Sequence, residues 1–370
     1  MSVLFSPLQL RSLALPNRIV ISPMCQYSAE NGAANAWHLI HLGGLALSGA
    51  GMLTIEATAV EPDGRITPGC LGLWDDATEA ALQPAMAAIR AYSKIAVAMQ
   101  IAHAGRKASS AVPWKGGALM PLAEGGWRTH APSAIPQKSG EEPPLALDTA
   151  GMERIRDAFV ATTRRALRLG IDAIEIHAAH GYLLHEFLSP ISNQRTDLYG
   201  GSLENRMRFP LEVFEAVRAV FPADRPVGVK VSGTDWVEGG WNLPQTVAFA
   251  AELKKRGADW VTASSGGISP AQKIPVGPDY QVPLAEGVKG ETGVTTVAVG
   301  LITEPQQAED ILSSGKADLV ALARGMLYDP RWGWHAAAAL GAQVEAPPQY
   351  WRAVPHGHKD LFGNTVYGGR

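Results

Sequence analysis

The chain has 370 residues, of which 46% are hydrophobic and 18% are charged, and its formal net charge is -3. This composition is typical of a globular protein, and a near-neutral charge without a run of Lys or Arg gives little support to nucleic-acid or anionic-membrane binding. The length fits one (β/α)8 barrel with insertions, since such barrels have about 250 residues or more.

Two cysteines, Cys25 and Cys70, are too few for a disulfide framework or for the four thiolates of an iron–sulfur cluster. The first residues lack the basic stretch and long apolar run of a signal peptide. No segment approaches the roughly 20 apolar residues that a membrane span requires. We therefore expect a cytoplasmic protein with reduced thiols.

Short apolar runs alternate along the chain with longer stretches of helical spacing. The short runs are apolar nearly throughout, as in parallel strands that are buried on both faces. They cover residues 18–23, 52–57, 95–101, 172–177, 227–231, 260–263, 296–299 and 319–323. The clearest helical patterns cover residues 77–91, 151–169, 204–221, 243–256, 305–314 and 330–340.

Eight consecutive β/α units predict an α/β protein with a closed (β/α)8, or TIM, barrel. A doubly wound open sheet is the alternative. The number of strands disfavours it, as does the absence of a G-x-G-x-x-G motif after the first strand. We expect residues 1–370 to form a single domain, with the barrel at about residues 4–342.

Two segments interrupt the alternation. Residues 108–142 are rich in Gly, Pro, Trp and Ser, and they predict a long loop after the third strand, on the face where barrel enzymes carry their active sites. Residues 346–370 are rich in Pro, Gly and aromatic residues and have no helical period. We expect this tail to dock on another surface, for example that of a neighbouring subunit.

Polar and ionisable residues stand at the carboxyl ends of nearly all the predicted strands. Reactive side chains of barrel enzymes lie at these ends, so the residues predict an active site. In chain order they include Cys25, Tyr27, Gln100, His177, His180, Tyr182, Lys230 and Arg324.

His177 and His180 follow the fourth strand and are spaced to converge on one small acceptor. Two imidazole donors would polarise a carbonyl oxygen, and the phenol of Tyr182 could protonate a carbanion-like carbon. Two structural histidines or a metal site are the alternatives. A metal is disfavoured because there is no H-E-x-x-H motif and no nearby set of Cys or carboxylate ligands.

Gly300 and the pair Ala323-Arg324 end the last two strands, where barrels often bind phosphate through backbone N–H groups. An ordinary turn with a surface arginine is the alternative. Lys230 lies inside an apolar strand, and because lysine is seldom buried without a partner, we expect it to face the anionic edge of a ligand.

Five segments of the chain carry motifs of a known family: residues 16–19, 22–27, 100–107, 177–182 and 192–206. They resemble flavoproteins of the Old Yellow Enzyme family, and the resemblance extends over about residues 4–352 of the chain. The sequence near Cys25 and the ending at residues 348–352 are similar to the thermophilic-like class, which includes xenobiotic reductases.

The resemblance implies an ene-reductase that uses NADPH and a tightly bound, non-covalent FMN to reduce activated C=C bonds of α,β-unsaturated carbonyl compounds. His177 and His180 would hold the substrate carbonyl, Tyr182 would donate the proton, and Tyr27 would line the pocket. The implied FMN contacts are Ser22, Pro23, Met24, Cys25, Ala57, Gln100, Lys230, Gly300, Ala323 and Arg324.

The resemblance also implies a homodimer or homotetramer in which Arg352 reaches the site of a neighbouring subunit. The chain departs from the family pattern at Lys230, where some relatives have Arg, and at Ala323, where Gly is common. An aldolase that uses Lys230 as a Schiff base is the alternative among enzymes. A flavin-storage protein without turnover is the alternative from another class.

Overall fold

The computed structural model describes residues 2–363 and 365. Eight parallel strands form a closed barrel, in which β8 pairs with β1 through Val320 and Ile19. The strands are β1 (Ile19–Ile21), β2 (Met52–Ala59), β3 (Ala96–Ala102), β4 (Ala173–Ala178), β5 (Val227–Ser232), β6 (Trp260–Ser264), β7 (Thr296–Ala298) and β8 (Leu319–Leu322). The predicted TIM barrel is confirmed, and so is each of its predicted strands, with small shifts at the ends.

Helices surround the barrel. They are α1 (Ala36–Ala46), α2 (Asp76–Tyr92), α3 (Thr149–Arg168), α4 (Leu183–Leu188), α5 (Leu203–Val220), α6 (Leu243–Lys255), α7 (Val282–Thr292), α8 (Pro305–Ser313), α9 (Arg324–Tyr328) and α10 (Trp332–Ala339). The predicted helices are confirmed as α2, α3, α5, α6, α8 and α10. Within residues 2–363 and 365, none of the helices is both long and apolar enough to cross a bilayer.

Helices α1, α4, α7 and α9 were not predicted from the sequence. Helix α1 contains the glycine pair Gly43-Gly44 and exposes Ile40, so its apolar residues do not form one stripe. Helix α7 contains Gly287 and Gly290, which lower helix propensity. Helices α4 and α9 are too short to show a helical period.

The barrel interior is a separate core from the layer between strands and helices. Trp260 of β6 lies in this interior together with Val20, Met52 and Leu319. Gly228 of β5 makes room for it, because a Cβ at that position would lie 2.0 Å from the Trp260 ring. The amino-terminal end of the interior core includes Leu10 and Leu15 from a short hairpin that the sequence analysis did not predict.

The long loop predicted after the third strand is confirmed between β3 and α3. It contains short 3-10 turns and a two-residue pairing of His130–Ala131 with Leu145–Ala146. Its last residue, Asp148, caps α3 by accepting a hydrogen bond of 2.7 Å from the Gly151 N–H.

The described part of the C-terminal tail packs against its own chain. Phe362 contacts Trp334 of α10 with ring centroids 4.9 Å apart, and Leu361 and Val344 belong to the same cluster. Helix α10 of the same chain therefore provides at least part of the surface on which the tail was expected to dock. Residues 364 and 366–370 of the predicted tail lie outside the described residues.

Candidate active site

The predicted site residues of the middle strands lie in one row inside the barrel. His177 in β4 is in register with Lys230 in β5, and Lys230 is in register with Thr262 in β6. Residues in register on neighbouring parallel strands point to the same face. The hydroxyl of Thr262 donates a 2.6 Å hydrogen bond to Glu175, two residues before His177, so this row faces the barrel axis.

A buried polar layer lies beneath this row. Glu175 accepts hydrogen bonds from Nε2 of Gln100 at 2.7 Å and from Thr262. The side chain of Lys230 is 6% exposed, and burial lowers its pKa while the nearby Glu175 opposes that shift. Among residues 2–363 and 365, no atom accepts a hydrogen bond from its ammonium group. A buried cation that donates no hydrogen bond within the protein is suited to bind a further anionic group.

His177 is arranged as a hydrogen-bond donor. Its Nδ1 accepts a 3.2 Å hydrogen bond from the Ala179 N–H, which assigns the ring proton to Nε2. Burial lowers the pKa of His177 well below its ordinary value, and the positive charge of Lys230 adds to the effect. The side chain is therefore a neutral imidazole whose remaining N–H is available to a ligand.

His180 lies beside it, with the two rings 5.2 Å apart. Its backbone has a positive φ of 59°, and its N–H donates to the hydroxyl of Ser232 at 2.9 Å. Burial, followed by the charge of Lys230, lowers the pKa of His180. Its Nε2 lies 2.7 Å from the hydroxyl of Ser264, a partner that the sequence analysis did not identify although Ser264 ends β6.

Tyr182 completes the turn after β4. Its ring is 4.9 Å from that of His177, and burial raises the pKa of its phenol well above the ordinary value. The ammonium of Lys107 lies 5.0 Å from the centroid of the Tyr182 ring and donates to the carbonyl oxygens of His180 at 2.8 Å and Gly267 at 3.1 Å. Burial lowers the pKa of Lys107 to about 8.

A fully buried pair behind the turn, His185 and Asp235, was also missed from the sequence. Nδ1 of His185 accepts a 2.8 Å hydrogen bond from the Gly181 N–H, and its Nε2 lies 2.9 Å from Asp235. Asp235 in turn accepts a 2.6 Å bond from the Ser189 hydroxyl. The pair holds the backbone between His180 and Tyr182. The position of His185 four residues after Gly181, at the start of a helix, could have suggested this contact.

The residues predicted to bind phosphate lie at the ends of the neighbouring strands β7 and β8. Gly300 has a φ of 113°, and a Cβ there would lie 2.7 Å from Nε2 of Gln281, so the turn requires glycine. Ala323 directly precedes α9, of which the exposed Arg324 is the first residue. The structure therefore places Gly300, Ala323 and Arg324 at the same end of the barrel as His177.

The segment after β1 lies at the same end. The Ser22 N–H donates a 2.9 Å hydrogen bond to the Leu322 carbonyl of β8. Tyr27 contacts Trp114 of the long loop with ring centroids 5.8 Å apart, and burial raises its pKa. The other predicted contacts in this segment and in β2 are Pro23, Met24, Cys25 and Ala57.

Arg352 is the one predicted site residue outside the barrel. It is exposed in a short 3-10 helix, Pro348–Ala353, of the tail. Its expected place in the site of a neighbouring subunit stays a prediction. Across the described residues, no group of three or more His, Cys, Asp or Glu side chains is arranged to hold a metal ion.

Comparisons with known proteins agree with the barrel and extend to nearly the whole chain. The model of the NADH:flavin oxidoreductase / NADH oxidase family matches residues 3–342. An NADPH dehydrogenase of Geobacillus thermodenitrificans is 45% identical over 353 residues, which cover 95% of this chain and 98% of that protein. An NADH:flavin oxidoreductase of Gibberella zeae is 44% identical over 363 residues, covering 93% of this chain and 87% of that protein.

Solved structures show the same architecture. Morphinone reductase in complex with tetrahydroNAD has a TM-score of 0.75 and 29% identity, covering 93% of this chain and 92% of that one. An Old Yellow Enzyme homologue from Zymomonas mobilis, 23% identical, has a TM-score of 0.75, with 93% of this chain and 94% of that chain covered. The predicted resemblance and the prediction of a flavin- and NAD(P)H-dependent oxidoreductase are confirmed by these matches. The chain is a member of the NADH:flavin oxidoreductase / NADH oxidase family, with the barrel of the Old Yellow Enzymes.

Proposed function

We propose that the chain is an ene-reductase that reduces C=C bonds conjugated to a carbonyl group, with NADPH as the hydride donor. The family match and the relatives named NADPH dehydrogenase support the oxidoreductase part of this proposal. The ene-reductase part of the proposal is based on the geometry of the turn after β4. It presents a neutral imidazole N–H on His177 and a neutral phenol on Tyr182 with their rings 4.9 Å apart.

The donor set at this end of the barrel fits FMN. The buried ammonium of Lys230 would face the anionic edge of the ring system, with the Gln100 amide nearby, and Gly300 and Arg324 would face the phosphate. When bound, FMN supplies the redox chemistry, since it accepts a hydride from NADPH and passes a hydride to the substrate. The protein's own contribution is to bind and orient the substrate.

His177 and His180 would receive the carbonyl oxygen of the substrate. Nε2–H of His177 is already directed as a donor, and the His180 ring lies 5.2 Å away. Nε2 of His180 is engaged by Ser264 at 2.7 Å, so the Ser264 hydroxyl either yields to the substrate or orients the imidazole towards it. Two such donors draw electron density from the conjugated C=C bond and favour hydride addition at its far carbon.

Tyr182 would then protonate the carbon next to the carbonyl group. Burial keeps its phenol protonated, so the proton is present when negative charge develops on that carbon. The phenolate that results lies beside the ammonium of Lys107, 5.0 Å from the ring centroid. This cation stabilises the phenolate and so assists the transfer.

The proposal includes a single cytoplasmic domain that assembles into a homodimer or homotetramer, with Arg352 completing the site of a neighbouring subunit. The exposure of Arg352 and the resemblance of the tail support it. The mass of the FMN-loaded protein in solution tests the assembly. A monomer at assay concentrations would rule out the role of Arg352.

The proton-donor role is tested by Tyr182→Phe, which keeps the ring and removes only the hydroxyl. We expect NADPH to bleach the flavin as fast as in the wild type, while reoxidation by an enone slows by roughly 10²–10⁴-fold, the usual worth of a general acid. Tyr199→Phe is the matched control, because the Tyr199 hydroxyl lies 3.4 Å from Glu212, away from the turn. Equal slowing of both half-reactions by Tyr182→Phe would contradict the assignment.

A further inference from the structure

A buried acid connects the candidate proton donor to the turn after β3. Glu186 lies in α4, and its side chain is fully shielded from solvent. Its N–H donates a 2.9 Å hydrogen bond to the Tyr182 carbonyl, and its Oε1 accepts a 2.8 Å hydrogen bond from the Arg106 N–H. One residue therefore joins the backbone of Tyr182 to the backbone that directly precedes Lys107.

The 3-10 turn after β3 is shaped around this side chain. Its first residue, Gly105, has a φ of 61°, and a Cβ there would lie 2.2 Å from Oε1 of Glu186, so the close approach requires glycine. The buried guanidinium of Arg106 donates to the carbonyl oxygens of Ile268 at 2.7 Å and Ile135 at 3.1 Å. The backbone of the turn is thus held by Glu186, and the Arg106 side chain is held by two neighbouring loops.

Lys107 is the last residue of this turn. Its ammonium donates to the carbonyl oxygens of His180 and Gly267 and lies 5.0 Å from the centroid of the Tyr182 ring. The four-carbon stem of a lysine is flexible, so the place of its ammonium depends on where the backbone starts the side chain. A shift of the turn would therefore move the ammonium away from the phenol that gives up the proton.

Packing alone does not account for an acid at this position. Oε2 of Glu186 has no hydrogen-bond partner among the described residues, and burial raises the pKa of the carboxyl group to about 8. An apolar side chain of similar size would fill the same space without the cost of burying a polar group. It could not accept the Arg106 N–H, however, and that acceptor fixes the turn.

We propose that Glu186 is a positioning residue for the proton transfer, which accepts the Arg106 N–H and thereby keeps the ammonium of Lys107 over the Tyr182 ring. The inference rests on the proposed role of Tyr182 in enone reduction. Glu186 acts through Lys107 and exchanges no proton with the substrate. Reduction of the flavin by NADPH needs no proton from Tyr182, so only the enone half-reaction should depend on Glu186.

The first test measures the two half-reactions separately by stopped-flow spectroscopy of the FMN-loaded protein. Glu186→Leu removes the acceptor, so reoxidation by an enone should slow by roughly tenfold to a hundredfold, while reduction by NADPH should change by less than about twofold. Glu309→Leu is the matched control and should change neither rate. Glu309 accepts the Leu4 N–H at 2.9 Å, and Leu4 in turn contacts the amino-terminal end of β1.

Glu186→Gln separates the hydrogen bond from the charge. At about pH 6, below the Glu186 pKa of about 8, the acid and the amide are both uncharged, and the amide oxygen can accept the Arg106 N–H. We expect the enone half-reaction of this variant to stay within about threefold of the wild type. A slowing as large as that of Glu186→Leu would overturn the assigned hydrogen bond.

A double-mutant cycle tests whether Glu186 acts through Lys107. Lys107→Met removes the ammonium, so adding Glu186→Leu to it should slow the enone half-reaction by less than a further factor of about two. An equal cost of Glu186→Leu with and without the ammonium, or equal slowing of both half-reactions, would overturn the proposal and leave Glu186 purely structural.

A crystal structure of Glu186→Leu tests the positioning without reference to turnover. The ammonium of Lys107 should lie beyond hydrogen-bond distance from the His180 carbonyl, and an ammonium that keeps its place would overturn the proposal. Glu186→Met takes the place of the leucine variant if that variant does not fold. A wild type that does not reduce enones would contradict the proposed function, whereas the crystal structure would still decide whether Glu186 positions Lys107.

Discussion

The ends of β4 and β5 differ in how their polar groups are satisfied. In the turn after β4, the N–H groups of His180 and Gly181 donate to Ser232 and His185, and the carbonyl of His180 accepts from Lys107. In β5, Lys230 is buried and its ammonium donates no hydrogen bond to the described residues, although the charge of Glu175 acts on it. The protein alone positions the turn after β4, whereas the proposed role of Lys230 requires a bound anionic group.

This contrast separates two kinds of functional residue. Side chains on a turn whose backbone hydrogen bonds are complete can act on a substrate without reorganisation of the turn. Polarisation of a carbonyl group and proton transfer both require such fixed positions. A buried cation that donates no hydrogen bond within the protein gains one when an anionic ligand binds, so ligand binding and folding stability depend on each other. Substitutions at the two strand ends should therefore differ in what they change.

The largest effect is expected from removing both donors of the turn, in His177→Ala combined with His180→Ala. Loss of one such donor costs about 10²–10³ in rate, so enone turnover should fall by at least about 10³-fold. Steady-state kinetics with a simple enone measure this. His335→Ala is the control, since His335 is an exposed residue of α10 that pairs with Asp329. Intact enone binding and turnover in the double variant would show that the turn does not hold the carbonyl.

At the other end, Lys230→Met should lower both stability and cofactor binding. Without FMN the variant should melt at a lower temperature than the wild type, because the buried carboxylate of Glu175 loses the cation that acts on it. Affinity for FMN should fall by about tenfold or more, since a charge-assisted contact is lost. Lys316→Met, at an exposed position, is the control. An unchanged FMN dissociation constant would remove Lys230 from the cofactor site.

His185 tests whether the buried pair behind the turn positions it for catalysis. His185→Leu removes the acceptor of the Gly181 N–H, and kcat per bound FMN should fall by roughly tenfold to a hundredfold with a smaller change in KM. His185→Gln can still accept that N–H and should recover part of the rate. If His185→Leu lowered only the melting temperature and left kcat unchanged, the pair would be purely structural.

The smallest effect concerns Glu56 inside β2, which accepts a 3.0 Å hydrogen bond from the Gln26 N–H. Burial raises the pKa of Glu56 to about 8 from a model-peptide value of 4.5. Its folded-state pKa exceeds the unfolded one, so its stability contribution is complete below pH 4.5 and is lost as pH rises through 8. The amide of Glu56→Gln cannot ionise. As the pH rises from 4.5 to 8, the melting temperature of this variant should therefore increase by a few degrees relative to that of the wild type. A difference that does not change with pH would show that Glu56 is ionised in the folded protein.

The strands were predictable from the sequence because parallel strands buried on both faces are apolar throughout. Helices α1 and α7 were not, because their glycines and exposed apolar residues hide the helical period. The location of His177–Tyr182 followed from its place after a strand, and Lys230 stood out as a charge in an apolar run. Ser264 and Asp235 could not be found in this way, because their contacts with His180 and His185 join residues far apart in the chain.

The most direct test of the account is an anaerobic titration of the FMN-loaded protein followed by its visible spectrum. We predict that NADPH bleaches the flavin band and that one equivalent of an enone such as cyclohexenone then restores it, with the saturated ketone as product. Bleaching without recovery on addition of any α,β-unsaturated carbonyl compound would contradict the proposed ene-reductase activity.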